Sequence, residues 1–205
     1  ASIWPEGKTP DFQEKQNQPY IEWYIPKELK TKAIQIVYAG GGYEYNLPED
    51  HEVAPIRRYL NVKGMAVVVL KYRSPRPNPP LAKHTTAWQD LQRAIRIVRF
   101  EAESRGLDPN RIGIMGSSAG GHLTLMGTTS SMHRSYLPID KIDETPCNVQ
   151  WGICIYPAYV LSDGINGTNN RGGNEENVTF ATDFSFDLKS APMIFMHGDS
   201  DPYSA

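Results

Sequence analysis

The sequence predicts an α/β fold, with a mostly parallel central sheet covered by helices on both faces. Along its 205 residues, short apolar segments alternate with longer amphipathic ones, which is typical of parallel strands joined by helices. One segment, residues 65–70, is apolar at every position, as expected for a strand buried on both faces. The length fits a single domain, residues 1–205, rather than two.

Six segments have the length and apolar composition of strands. They are residues 21–25, 33–37, 65–70, 111–115, 149–156 and 192–196. Intervening stretches long enough for helical crossovers favour parallel pairing of most of these strands.

The clearest helix is predicted for residues 86–105. Thr86 and Gln89 fit a capping box at its start, and Gly106 and Pro109 fit its end. One face is apolar and consists of Leu91, Ile95, Val98 and Ala102. This spacing predicts a helix that packs against the sheet.

Two further helices and two irregular segments complete the predicted organisation. We expect helices over residues 50–60 and from Ser118 towards Gly127. Residues 74–80 contain four prolines and cannot form a central strand or a helix interior. Residues 163–176 are rich in glycine and asparagine, which predicts a mobile surface loop.

The composition argues against several kinds of partner. The 21 Lys and Arg residues nearly balance the 23 Asp and Glu residues, so neither nucleic acid nor an anionic membrane is expected as a partner. No apolar run approaches the roughly 18 residues that a membrane span needs. Cys147 and Cys154 are expected to be buried free thiols rather than a disulfide.

Residues 116–120, Gly-Ser-Ser-Ala-Gly, carry the strongest chemical signal, since they follow a predicted strand and precede a predicted helix. Such a turn strains the backbone of its central serine and exposes the hydroxyl at a helix N-terminus, where negative charge is stabilised. A glycine-rich turn with a capping serine is the alternative. The context favours Ser118 as a catalytic nucleophile, with Ser117 in a structural role.

A second glycine-rich segment, Ala-Gly-Gly-Gly-Tyr at residues 39–43, also follows a predicted strand. Acyl transfer needs about two or three preorganised N–H donors for the oxyanion. We expect the N–H groups of Gly41, Gly42 and Ala119 to form this oxyanion hole. A phosphate-binding loop is disfavoured, because neither the Gly-x-Gly-x-x-Gly spacing nor the Lys-Ser/Thr pair is present.

The third signal is His-Gly-Asp-Ser-Asp at residues 197–201, after the last predicted strand. A carboxylate is needed to orient a catalytic histidine and to stabilise its imidazolium form. An acid at this point fits the order nucleophile, acid, histidine. Asp199 and Asp201 are both candidates.

No histidine follows Asp201 in the sequence. Five precede it, namely His51, His84, His122, His133 and His197. We expect His122 to be a packing residue, His197 to hold the acid turn, and the other three to be solvated. None of these forms a metal-ligand spacing, so neither a metal nor a cofactor is expected.

Further segments carry a family resemblance. They are residues 4–7, 72–73 and 108–112, together with Asp90 and Ala94. With the three motifs, they make the chain resemble the α/β-hydrolase superfamily, and within it the esterase/lipase group that includes bacterial acetylxylan esterases and feruloyl esterase-like enzymes. The weakest match lies over residues 128–148 and 161–188.

The resemblance implies an α/β-hydrolase fold and a serine carboxylic-ester hydrolase. Its substrate would be a small ester, such as a carbohydrate with a short acyl group. A His-Gly-x-x-Asp pattern in the group favours Asp201 over Asp199. Tyr43 and Tyr45 are expected to border the acyl pocket. A secreted or periplasmic location is implied by the resemblance alone.

Members of this group continue with one more strand and a helix, and the catalytic histidine lies between them. We therefore expect residues 1–205 to be a C-terminally incomplete domain whose remaining polypeptide carries that histidine. Residues 192–196 would then lie at the edge of the sheet. Two other functions stay open, a serine peptidase of the same fold and a catalytically inactive binding homologue.

Overall fold

The computed structural model of the protein describes residues 1–49, 51–163, 167–169 and 179–201. Its strands are β1 (Tyr20–Tyr24), β2 (Ile34–Tyr38), β3 (Ala66–Lys71), β4 (Ile112–Ser117), β5 (Trp151–Ile155), β6 (Leu161–Asp163), β7 (Gly167–Asn169), β8 (Thr179–Phe180) and β9 (Met193–Met196). The α-helices are α1 (Ala54–Val62), α2 (Thr85–Ala102) and α3 (Ala119–Thr129), and short 3₁₀ turns cover Glu103–Arg105 and Lys141–Glu144.

Six of the strands form the central sheet, in the order β1-β3-β2-β4-β5-β9. The strand β1 runs antiparallel to β3, and all the other neighbours are parallel. The predicted mostly parallel sheet is therefore confirmed, with each strand within one or two residues of its predicted bounds. The strand β9 forms one edge, as expected, and its Ile194 and Phe195 are exposed.

Helices cover both faces of this sheet. Because side chains alternate along a strand, Val67 and Val69 point to the face where α1 packs. Val68 and Leu70 of the same strand join the larger core formed with α2 and α3. The two apolar faces explain why β3 is apolar throughout, and they confirm the predicted layers.

The start of α2 differs from the sequence prediction. The helix begins at Thr85 without a side-chain cap, so the capping box of Thr86 and Gln89 is wrong. Oγ1 of Thr86 instead accepts a hydrogen bond from Gln16 at 3.0 Å, and Oε1 of Gln89 accepts one from Arg73 at 3.0 Å. Both side chains are buried, and their distant partners replace the local cap.

The bounds of α1 also differ, because this helix starts at Ala54 rather than near residue 50. Pro55 lies in its first turn, where proline fits the helix geometry and lacks only an N–H that would have no acceptor. Asp50 lies outside the described residues. Pro55, the second residue of the helix, was the signal that could have set this boundary.

Part of the loop predicted for residues 163–176 forms a strand instead. Within it, β7 pairs antiparallel with β6, which also pairs with β8. Strand pairing uses the N–H and C=O groups of the backbone, so a segment rich in glycine and asparagine can still form a strand. Residues 164–166 and 170–176 of the predicted loop lie outside the described residues.

Three simpler features of the sequence can be compared directly with the structure. Both cysteines are buried free thiols, as predicted. Within the described part of the chain, no helix combines the length and apolarity that crossing a membrane requires. Residues 74–80 form neither a helix nor a strand, as their prolines predict.

Candidate active site

A cavity of about 570 Å³ lies beside Ser118, at the edge of the sheet where the parallel strands end. The residues that line it are Gly41, Gly42, Glu44, Tyr45, Glu52, Ser118, Tyr156, Ala158, Tyr159 and Asp201. They follow β2, β4, β5 and β9 in the chain. Parallel strands place their carboxyl ends on one edge, which is where α/β folds bind ligands.

Ser118 occupies the turn between β4 and α3 in a strained backbone conformation. Its φ is 52° and its ψ is −118°, a region that residues with a side chain rarely adopt. The flanking residues must be small, since a Cβ on Gly116 would lie 2.5 Å from the carbonyl oxygen of Gly120. The strained turn leaves Ser118 partly exposed in the cavity wall.

The glycine loop after β2 lies against this turn. A Cβ on Gly40 would come within 2.9 Å of Cβ of Ser118, so this close approach requires glycine. Gly41 and Gly42 follow with φ of 104° and 62°. Among the described residues, neither of their N–H groups has a hydrogen-bond partner, so both are available to a ligand in the cavity.

Ala119, the third expected oxyanion donor, is the first residue of α3. The first N–H groups of a helix lack acceptors within the helix. The side chain of Ala119 is fully buried. A Cβ on the next residue, Gly120, would lie 2.7 Å from the carbonyl oxygen of Ala39, so the glycine loop passes close to this end of α3.

Two side chains fix the glycine loop from opposite sides. The Tyr72 hydroxyl lies 2.9 Å from the carbonyl oxygen of Ala39 and 3.0 Å from that of Gly40, and donates to them. On the other side, the N–H of Gly40 donates to Oε2 of Glu52 at 2.8 Å. The Tyr156 hydroxyl donates to Oε1 of the same carboxylate at 2.7 Å.

These donors keep Glu52 ionised. Burial alone would raise the pKa of this carboxyl, but the Ser117 and Tyr156 hydroxyls and the Gly40 N–H together lower the pKa below its ordinary value. A carboxylate that accepts several hydrogen bonds favours its charged form. The cavity therefore carries a fixed negative charge that the sequence analysis missed, because Glu52 belongs to no motif.

Asp201 also lines the cavity, whereas Asp199 is an exposed residue that does not. The residue follows the edge strand β9, and its N–H donates to the carbonyl oxygen of Gly198 at 3.3 Å. Nε2 of His197 lies 3.9 Å from Oδ2 of Asp201, within ion-pair range. Of the two acids that the sequence leaves open, the structure brings Asp201 into one cavity with Ser118.

The two tyrosines expected at the pocket, Tyr43 and Tyr45, lie in different environments in the structure. Tyr45 lines the cavity and is 59% exposed. Tyr43 is 0% exposed and belongs to the core, so its expected place on the pocket wall is wrong. Its φ of 64° turns the chain after the glycine loop, which sends its ring inwards to pack on Tyr72 at 6.0 Å between centroids.

Tyr156 and Tyr159 are cavity residues that the sequence did not assign. They follow β5 and adopt φ values of 33° and 57°, as unusual as that of Ser118. The N–H of Tyr156 donates to the carbonyl oxygen of Met196 at 2.6 Å, which ties the end of β5 to that of β9. Their position after a parallel strand was the signal that could have identified them.

No histidine belongs to the described lining of the cavity. His122 is fully buried, as expected of a packing residue. Its Nδ1 lies 2.8 Å from the Tyr43 hydroxyl and its Nε2 lies 3.2 Å from Oδ2 of Asp183. His84 is 8% exposed, so its expected solvated position is wrong, because the start of α2 packs against His122.

Comparison with solved structures identifies the fold. The acetyl ester-xyloside bifunctional hydrolase from Caldicellulosiruptor lactoaceticus aligns with a TM-score of 0.72 and 26% identity, covering 99% of this chain and 75% of that one. Thermogutta terrifontis esterase 2 aligns with a TM-score of 0.67 and 24% identity, covering 92% and 69%. The chain thus has the fold of α/β-hydrolase esterases, as the sequence resemblance implies.

Sequence relatives agree with this fold. The acetylxylan esterase of Xylanibacter ruminicola is 33% identical over 128 residues, or 59% of this chain and 25% of that protein. Endo-1,4-beta-xylanase B of Butyrivibrio fibrisolvens is 30% identical over 106 residues, or 51% and 16%. The chain thus spans a quarter or less of the length of these two relatives. A family model described as BD-FAE matches residues 21–153, well over half of the sequence, and the chain therefore belongs to the BD-FAE family.

Proposed function

We propose that this protein is a serine carboxylic-ester hydrolase that removes a short acyl group, such as acetate, from a carbohydrate. The observation that carries this proposal is a single cavity lined by Ser118, by Gly41 and Gly42, and by Asp201. A nucleophile, N–H donors and an acid on one wall are the parts that acyl transfer needs. The backbone strain at Ser118 supports the same assignment.

In this mechanism, Oγ of Ser118 attacks the ester carbonyl carbon while its proton passes to a histidine base. The carbonyl oxygen becomes an oxyanion held by the N–H groups of Gly41, Gly42 and Ala119. Collapse of this intermediate breaks the ester bond, and the imidazolium returns the proton to the leaving alcohol. Water then attacks the acyl-enzyme by the same route and releases the acid.

We assign the base to a histidine other than the five in this sequence. Support comes from the side chains of His84 and His122, which are buried and face Asp183 rather than Ser118. Asp201 would orient the imidazole and stabilise its charged form. In the order nucleophile, acid, histidine, this residue would come after Asp201.

The shape of the cavity supports a sugar ester as the substrate. At about 570 Å³, it is within the range of small-molecule sites. Its wall combines the rings of Tyr45, Tyr156 and Tyr159 with the Glu52 carboxylate, which suits a ligand with apolar ring faces and hydroxyl groups. Two of the relatives are named for acetylxylan and acetyl ester-xyloside hydrolysis.

The test is acetate release from acetylated xylan and from p-nitrophenyl acetate by the protein in its full-length polypeptide. Substituting Ser118→Ala should lower the rate by about 10⁴- to 10⁶-fold, as for other serine nucleophiles. Ser104→Ala is the control, since Ser104 is an exposed serine whose hydroxyl donates to the carbonyl oxygen of Glu101 and which does not line the cavity. This control should keep most of the activity.

Three outcomes would contradict parts of the proposal. Equal rates for the wild type and Ser118→Ala would exclude Ser118 as the nucleophile. Hydrolysis of p-nitrophenyl acetate without release from acetylated xylan or xylosides would exclude the carbohydrate substrate. Cleavage of peptide amides at rates above those for esters would favour the peptidase of the same fold.

A further inference from the structure

Two histidines and an aspartate meet in the interior, close to the candidate active site but outside its cavity. His84 precedes α2, His122 lies in the first turn of α3, and Asp183 follows β8. One nitrogen or oxygen ligand atom from each lies within 4.8 Å of the others. The fold therefore gathers three metal-ligating side chains from positions that are about 40 and 60 residues apart in the sequence.

Contacts within the described protein do not explain why the side chain of His84 is buried. Its side chain is nine-tenths buried, and its Nδ1 has no hydrogen-bond partner among the described residues. That nitrogen lies 3.8 Å from Oδ2 of Asp183, beyond hydrogen-bond distance. A buried nitrogen without a partner costs about 1–3 kcal/mol, so a ligand between it and the carboxylate would remove this cost.

The spacing of the three ligand atoms suits a small divalent ion. Zn–N and Zn–O bonds of about 2.0–2.2 Å put neighbouring ligand atoms of a tetrahedral site roughly 3.4 Å apart. Oδ2 of Asp183 lies 3.2 Å from Nε2 of His122 and 3.8 Å from Nδ1 of His84. The third pair, the ligand nitrogens of His84 and His122, lies within 4.8 Å, so binding would draw the two imidazoles together by up to about 1.4 Å, while both pairs with Asp183 need shifts of only a few tenths of an ångström.

The hydrogen bond at the far side of His122 also fits a metal ligand. The Tyr43 hydroxyl lies 2.8 Å from Nδ1 of His122 and can accept a hydrogen bond from it. With the proton on Nδ1, the Nε2 lone pair faces Asp183 and is available to a metal. Ligating histidines are usually oriented by such a partner on the second ring nitrogen.

We propose that His84, His122 and Asp183 bind one Zn²⁺ ion, or a transition-metal ion of the same class, with water as the fourth ligand. Imidazole donors favour such ions over Ca²⁺ and Mg²⁺, which prefer oxygen ligands. The side chain of Asp183 is 23% exposed, so water can reach the open position. The ammonium group of Lys83 interacts with Asp183 and opposes the added positive charge, which limits the affinity.

The bound ion would be structural rather than catalytic. It would tie the segment that contains Asp183 to the starts of α2 and α3, next to Ser118. The ring of Tyr159 lies between this cluster and the cavity, with its centroid 5.9 Å from that of His122. Metal binding would therefore support the cavity wall from behind and would take no part in ester cleavage.

The test is calorimetric titration of tag-free, chelator-treated protein with ZnCl₂, followed by the visible absorption of the Co²⁺-substituted protein. We expect one Zn²⁺ per chain and a Co²⁺ spectrum of a tetrahedral site. His84→Ala and Asp183→Asn should each weaken binding by more than about 100-fold, since even outer partners of a metal site cost about 10- to 100-fold. His133→Ala, which removes an exposed histidine outside the cluster, should bind as the wild type does.

A wild type that takes up no Zn²⁺ would overturn the proposal, and so would equal affinity in the wild type and Asp183→Asn. Circular dichroism verifies that each variant is folded. If His84→Ala fails to fold, the nearly isosteric Asp183→Asn decides the matter alone. No step measures ester hydrolysis, so the outcome does not depend on the proposed function.

Discussion

Substituting Glu52→Ala would test whether the carboxylate fixes the oxyanion loop. Glu52 accepts hydrogen bonds from the N–H of Gly40 and from the Tyr156 hydroxyl. Removing it leaves the N–H of Gly40 without this acceptor, directly before the two glycines that we expect to bind the oxyanion. The loop would then lose one of its two side-chain supports and would keep the hydrogen bonds from Tyr72 and those that the N–H groups of Glu44 and Tyr45 donate to the carbonyl oxygen of Gly41.

The size of the effect follows from the lost hydrogen bond. An N–H left without a partner costs about 1–3 kcal/mol. If the whole cost appears in the transition state, the rate falls by about 5- to 150-fold, because each 1.36 kcal/mol is tenfold. This lies below the roughly 10²- to 10³-fold loss for removing an oxyanion donor itself, since Glu52→Ala would loosen the donors without deleting them.

The assay is the steady-state hydrolysis of p-nitrophenyl acetate at pH 7.5. We expect kcat to fall with little change in KM, because the oxyanion forms only in the transition state. Glu52→Gln is the matched control. Its amide oxygen can accept from Gly40 and its NH₂ group can donate to Oη of Tyr156, so most of kcat should remain.

Two results would refute this reasoning. Wild-type kcat in Glu52→Ala would mean that the loop keeps its geometry without the carboxylate. An equal loss in Glu52→Gln and Glu52→Ala would mean that the charge of Glu52, rather than the hydrogen bond to Gly40, is what matters.

Two further predictions concern stability and thiol reactivity. Burial alone would raise the pKa of Asp143, but Tyr136, the N–H of Ile139 and Arg93 lower the pKa below its ordinary value, so its contribution to stability is present above about pH 4 and is lost as the pH falls further. Urea denaturation should therefore show Asp143→Asn to be less stable than the wild type at pH 7, with a difference that shrinks at pH 3; a constant difference would contradict this. Burial raises the pKa of Cys154 to about 12 and also raises that of Cys147, so Ellman's reagent at pH 8 should label neither thiol in the native protein and both in guanidinium chloride. Rapid labelling of the native protein would count against both assignments.

The sheet could be predicted from the sequence because its signals are local. A strand buried on both faces must be apolar at each position, as β3 is. The glycine-flanked turn around Ser118, between a strand and a helix, is likewise a specific local signal. The start of α2 could not be predicted in the same way. Thr86 and Gln89 have the spacing of a cap, but their hydrogen bonds go to Gln16 and Arg73, which are distant in the chain.

In the candidate site, too, residues in local motifs could be predicted and residues positioned by distant contacts could not. Gly41, Gly42, Ser118 and Asp201 each lie in a motif that immediately follows a strand, and the structure brings them to one edge. Glu52 lies in no motif, and its role depends on a contact with the N–H of Gly40 that only the fold creates. The His84 cluster likewise depends on packing between helix starts, which no spacing in the sequence reveals.

The buried ion pair of Arg73 and Asp90 connects segments far apart in the sequence to the oxyanion loop. Asp90 on α2 accepts from the N–H of Arg73 at 2.7 Å, from its Nε at 3.0 Å, and from Nε1 of Trp4 at 2.7 Å. Tyr72, the residue before Arg73, donates to the carbonyl groups at the start of the glycine loop. The carboxylate of Asp90 thus fixes the end of β3, and that end fixes the loop. Breaking a buried ion pair costs about 3–5 kcal/mol. Substituting Arg73 or Asp90 would therefore disturb the candidate site indirectly, through the end of β3 and the glycine loop that Tyr72 supports.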